Sequence, residues 1–154
     1  MRRLMILPIL LALFITSCNN KPVSTAAMKS EEADENIAVY LTGQTFRENV
    51  FDYKESKDWK YLGIKPAIID FYADWCAPCR QLSPVLEDVV KEYNGQIILY
   101  KVDTDKEKEL TGAIGVRALP TLLYIPVEGE PQVRMGNASA ESIMQTIDKI
   151  LLPQ

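Results

Sequence analysis

The chain has 154 residues, 47% hydrophobic and 25% charged, which suits one compact core and leaves little room for a second. A net charge of −4 with no Lys/Arg-rich run gives no electrostatic footprint for nucleic acid. With no histidine and three cysteines, one of them at position 18, imidazole catalysis, histidine ligation and a four-ligand zinc site are all disfavoured, so no metal is expected.

Arg2 and Arg3 precede an apolar run, Leu4–Ile15, that is shorter than the roughly 20 residues of a membrane-spanning helix. This is the pattern of a secretory signal. It ends in Ile15-Thr16-Ser17-Cys18, small residues and then a cysteine, which resembles a bacterial lipobox. The resemblance implies a signal peptide over 1–17 and a lipid on Cys18, the first residue of the mature chain. An ordinary secretory signal with an incidental cysteine is the alternative. Both send the rest of the chain out of the cytoplasm. Asn19–Asn36 is polar and acidic with almost nothing to bury, a flexible tether. The organisation read here is therefore signal 1–17, lipidated cysteine and tether 18–36, and a folded domain 37–154. Asn19 after the lipid cysteine favours, by the same resemblance, the outer membrane.

Ile37–Leu41 predicts a short strand. Thr45-Phe46-Arg47-Glu48 has the form of a capping box, with Phe46, Val50 and Tyr53 at helical spacing behind it. Lys54–Lys65 reads equally as a helix extension or a loop, and its Trp59 and Tyr61 suit core or rim packing. Ala67–Tyr72 is apolar apart from Asp70, a buried central strand. Leu82, Val85, Leu86, Val89, Val90 and Tyr93 then mark one face of a helix, in which Pro84 should introduce a kink. Asn94-Gly95 stops it, and Ile97–Val102 is the next strand. Asp105–Thr111 reads as a short helix ending near Gly112. Thr121–Ile125 and Gln132–Met135 read as strands joined by a turn at Glu128–Pro131, and Ser139 caps a last helix bearing Ile143, Met144, Ile147, Ile150 and Leu151. The order β-α-β-α-β-α-β-β-α gives an α/β fold with a central mixed sheet and helices on both faces.

The chemistry concentrates in Trp75-Cys76-Ala77-Pro78-Cys79, where the strand period gives way to the helix period. Backbone N–H groups in a first helical turn lack partners and carry partial positive charge, so they favour a thiolate on Cys76. Pro78 sits where a missing N–H costs little. A second thiol three residues on allows a disulfide to form and reopen. A structural disulfide is the plain alternative, but a loop this short constrains little of the unfolded chain. Half a metal site is the other, without a second half. Arg80 after Cys79 also excludes the Cys-x-x-Cys-His attachment of c-type haem. Asp70, inside an apolar strand, is costly unless neutral or paired, so its pKa should be raised. It reads either as a proton acceptor or as a structural acid in an ion pair with Lys101 on the neighbouring strand.

Asp70-Phe71-Tyr72-Ala73-Asp74-Trp75-Cys76-Ala77-Pro78-Cys79 and Arg117-Ala118-Leu119-Pro120-Thr121 resemble the two signatures of the thioredoxin family, over about residues 37 to 154. The departures are Ala77, where Gly is most common, and Tyr72, where Trp is frequent. The resemblance implies a thioredoxin fold and no cofactor beyond a redox-active Cys76–Cys79 disulfide. Cys76 would attack a substrate disulfide, Cys79 would resolve the mixed disulfide, and Asp70 with Lys101 would accept the proton. A cis bond before Pro120 would face Cys76, and substrate would pair with the Leu119 backbone as an added strand. Trp75, Ala77, Pro78, Thr104, Ala118 and Gly136 would rim the groove.

The resemblance further implies a monomeric protein-disulfide reductase, with disulfide-containing envelope proteins as substrates and a membrane thiol reductase as electron donor. An envelope oxidase or isomerase, and a cytochrome-maturation reductase, share the scaffold. Ala77-Pro78 favours the reductase, because oxidases of this class usually carry a histidine between the cysteines. A tethered, non-enzymatic interaction module is the remaining reading, disfavoured by the intact set Asp70, Cys76, Cys79 and Pro120.

Overall fold

The computed structural model describes residues 37–153. Cys18 and the tether lie outside the described residues. In chain order the elements are β1 (Ala38–Tyr40), α1 (Gly43–Asn49), β2 (Ala67–Tyr72), α2 (Ala77–Glu92) and β3 (Ile98–Asp103). They continue with α3 (Lys108–Ile114), β4 (Thr121–Ile125), β5 (Gln132–Met135) and α4 (Ala140–Thr146), which widens into a π-helical turn at Ile147–Leu151. The five strands form one mixed sheet in the order β1-β3-β2-β4-β5. β3 runs parallel to both β1 and β2, whereas β4 is antiparallel to β2 and to β5. This is the α/β architecture expected from the element order.

Strand alternation divides the interior into two cores. Ile68, Leu99, Leu122 and Tyr124 pack under α2 and α4 with Leu82, Leu86, Ile143 and Ile147. Ile69, Phe71, Val102, Leu123 and Ile125 face the other way, against Phe46 and Val50 at α1 and Leu110 of α3. Period two therefore puts Asp70 and Lys101 beneath α2, two residues on from Ile68 and Leu99. They are paired in register on adjacent strands.

Three boundaries differ from expectation. α1 starts earlier, because Thr42 is the N-cap. Its hydroxyl accepts from the Thr45 N–H at 3.2 Å while Thr45 Oγ1 accepts from the Thr42 N–H at 2.8 Å, so the reciprocal pair lies three residues before the one read from Thr45 and Glu48. The chain from Val50 to Pro66 is loop and turn, pinned by Leu62 N–H to the Val50 carbonyl (2.9 Å) and by Trp59 against Phe51, ring centroids 4.7 Å apart. α3 ends at Gly115, which takes the left-handed conformation (φ 79°), because its N–H closes onto the Thr111 and Gly112 carbonyls; Gly112 itself is helical. α2 runs unbroken through Pro84.

Candidate active site

Cys76 is the N-cap of α2, and its Sγ accepts a hydrogen bond from the Cys79 N–H at 3.2 Å. The sulfur thus takes the place of the oxygen that usually caps a helix, next to the positive end of the dipole. Pro78 lies in the first turn, and Cys79 is one turn further in. The two sulfurs form a disulfide. Both cysteines are buried, at 3% and 2% exposure, so solvent access does not separate them; their positions on the helix do. Ala73 completes the small cluster around them, with Tyr72 and Leu119 packed against it.

The second signature arrives from across the sheet. The Leu119–Pro120 bond is cis, and the Pro120 carbonyl accepts from the Gly136 N–H at 2.8 Å. Gly136 has φ 85°, the left-handed region that favours glycine, so it turns the end of β5 toward Pro120. Ala118 is exposed, and its carbonyl accepts from Thr121 Oγ1 at 2.7 Å. Trp75, 69% exposed, donates its indole N–H to Asp105 Oδ2 at 2.8 Å, fixing its ring beside the disulfide loop; Ala77 and Pro78 are exposed next to it. Thr104 bonds the Tyr72 carbonyl through both its N–H (2.9 Å) and its hydroxyl (3.0 Å), which ties off the end of β2.

Beneath α2, within reach of Ser83, lies the buried acid. Asp70 is fully buried, and among the described residues its Oδ1 has no hydrogen-bond partner. Burial pushes its pKa up to about 6; Lys101 and a hydrogen bond from Ser83 pull the other way, and Glu87 adds to the rise. The expected ion pair between Asp70 and Lys101 is not what the structure holds. Lys101 Nζ pairs with Glu87 Oε1 at 3.1 Å and donates to Ser83 Oγ, and Ser83 Oγ in turn reaches Asp70 Oδ2 at 3.5 Å. Ser83 and Glu87 were missed by reading motifs alone. Their signal was the spacing Cys79, Ser83, Glu87, at i, i+4 and i+8 along α2, beside the apolar stripe.

Among the described residues no group of three or more Cys, Asp or Glu side chains is arranged to hold a metal. The protein-family model for thioredoxin matches residues 38–149, which takes in every strand and both signatures. The chain belongs to the thioredoxin family. It is 54% identical over 100 residues to a thioredoxin of Borreliella burgdorferi, covering 65% of this chain and 86% of that one. Thioredoxin 1 of a Nostoc species is 30% identical over 114 residues, 74% of this chain and 97% of the relative. The crystal structure of chloroplastic thioredoxin z matches with a TM-score of 0.61 at 25% identity, over 73% of this chain and 92% of that one. As a thioredoxin, the chain is a disulfide oxidoreductase acting on protein disulfides, and the Cys76–Cys79 pair is its redox centre. Thioredoxin chemistry needs no cofactor beyond that disulfide.

Proposed function

We propose that this thioredoxin is a reductant of protein disulfides in a bacterial envelope, anchored to a membrane, the outer membrane by preference, through a lipid on Cys18. The observation that carries the redox direction is a thiolate site capped by a helix N-terminus, with Ala77-Pro78 between the cysteines, no histidine to hold the thiolate, and a buried acid beneath α2. The Leu4–Ile15 run and Ile15-Thr16-Ser17-Cys18 support the location.

The Cys76 thiolate attacks one sulfur of the substrate disulfide. A Cys76–substrate disulfide forms as the substrate S–S bond breaks, and the leaving thiolate takes a proton from water. Cys79 then gives its proton to the Asp70 carboxylate and attacks Cys76 Sγ. The Cys76–Cys79 disulfide forms, and the second substrate sulfur leaves with its electron pair. The substrate gains two electrons and the protein loses two, so a membrane thiol reductase must return them. Leu119 and the Pro120 loop, packed on the disulfide, offer backbone for an extended substrate segment to pair with, and Trp75, Ala77, Pro78, Ala118 and Gly136 flank that position.

Two measurements test this reading. The Cys76/Cys79 pair should equilibrate below about −220 mV, and a value near about −120 mV would make the protein an oxidase. Cys18→Ala should abolish lipid labelling and release the protein from membranes; labelling that survives the substitution overturns the anchor.

A further inference from the structure

Asp70 and Lys101 are register partners on adjacent parallel strands, yet Lys101 makes its ion pair elsewhere. Ser83 of α2 stands between them. Its hydroxyl accepts from Lys101 Nζ and is the donor toward Asp70 Oδ2, 3.5 Å away. Glu87, one turn further along α2, holds the same ammonium at 3.1 Å. Ser83, Lys101 and Cys79 line a common cavity of about 260 Å³, with Asp74 and Arg80 also on its wall. A cavity of this size admits water to the sulfur and the hydroxyl together.

We propose that Ser83 is a positioning residue for disulfide exchange, its hydroxyl carrying the Lys101 charge to the buried Asp70 carboxylate while Glu87 draws that charge away. The proposal rests on the reading that Asp70 accepts the proton of Cys79. A hydroxyl has one proton to give. When it is directed at Asp70, its lone pairs remain for Lys101, and the chain N–H to O–H to carboxylate runs in one sense, which favours the ionised acid. Ser83 and Lys101 neither gain nor lose a proton. The Cys79 S–H bond breaks and an Asp70 O–H bond forms; when the acid returns to its carboxylate form, that proton goes to solvent water.

The groups that face Asp70 make the balance legible. β3 contributes Lys101, whose ammonium also lies 5.6 Å from the Tyr72 ring centroid and 6.0 Å from that of Tyr40. α2 contributes Cys79, Ser83 and Glu87, and β4 contributes only the apolar Leu122 in register. One cation is therefore shared between a fully buried acid that reaches it through a hydroxyl and a half-exposed acid that touches it directly. Removing the hydroxyl and removing the competing carboxylate should act on Asp70 in opposite directions.

The test follows the Asp70 carboxyl carbon by NMR through a pH titration of the oxidised protein, alongside the pH profile of disulfide reduction. Ser83→Ala should move the Asp70 midpoint up by about one pH unit, the size expected for losing a hydrogen bond to a charged group. Ser83→Thr, which keeps the hydroxyl, should restore it. Glu87→Gln should move it down. The acid limb of the rate profile should follow the resonance in each variant. A midpoint unmoved by Ser83→Ala, or displaced in the same direction by Ser83→Ala and Glu87→Gln, overturns the coupling. A rate profile indifferent to Asp70→Asn contradicts the proton-acceptor reading instead, and with it any part for Ser83 in exchange.

Discussion

The two faces of β2 are built from the same short strand and serve opposite ends. Ala67, Ile69 and Phe71 bury into a core of apolar side chains against α1 and α3. On the other face Ile68 does the same beneath α2, but the next residue on that face is Asp70, with Ser83, Lys101 and Glu87 gathered around it. The first face gains stability from each side chain it removes from water. The second gives some up at one position, since a carboxylate deprived of water is disfavoured unless it takes a proton. The pleat of a single strand thus separates apolar packing from a buried titratable acid.

Substituting one face at a time sharpens that contrast. On the apolar face, Phe71→Ala should cost about 3 to 5 kcal/mol in denaturant unfolding, because Phe71 is fully buried and its neighbours close the gap only in part. The pH dependence of disulfide reduction should be unchanged in whatever fraction stays folded. A shifted rate profile in Phe71→Ala would mean the two faces are not independent.

On the polar face, Asp70→Asn should run the other way. With a folded pKa raised to about 6 from an ordinary 3.8, the native state holds a proton that the unfolded chain has released anywhere between those values. Stability from this group is complete below the lower value, falls as pH climbs through the window, and stays lost above about 6. Asp70→Asn should therefore be the more stable protein at pH 7, by about 1 to 3 kcal/mol, and its stability should lose that pH dependence. It should also reduce disulfides more slowly, on the order of a hundredfold, the usual worth of a positioned base. A variant that is less stable at pH 7 and turns over normally would mark Asp70 as a structural acid.

Much of this contrast is legible in the sequence. A lone aspartate in Ala67–Tyr72 and a cysteine pair where the apolar period changes are local signals, so both the strand-to-helix junction and its acid could be read from neighbouring residues. The sheet followed from the order of elements, since buried strands need cover on each side. What escaped depended on choices among near-equal local options. Thr42 and Thr45 cap α1 reciprocally, although Thr45 and Glu48 have the commoner form. Gly115, not Gly112, takes the left-handed turn that ends α3. The partner of Lys101 was the most consequential miss. Its place on the neighbouring strand made it the obvious partner in the structural reading of Asp70, but Glu87 offers a carboxylate with access to water, which costs less to ionise than one in the interior.

The central claim is that Cys76, at the helix cap, attacks, and that Cys79 only resolves. Exposure does not assign these roles, so trapping must. Expressed as the full chain, Cys79→Ser should accumulate mixed disulfides with its substrate proteins, visible as slower bands on non-reducing gels that collapse on reduction. Cys76→Ser should accumulate few or none and be inactive. Trapping by Cys76→Ser alone, or equally by both variants, would contradict the account.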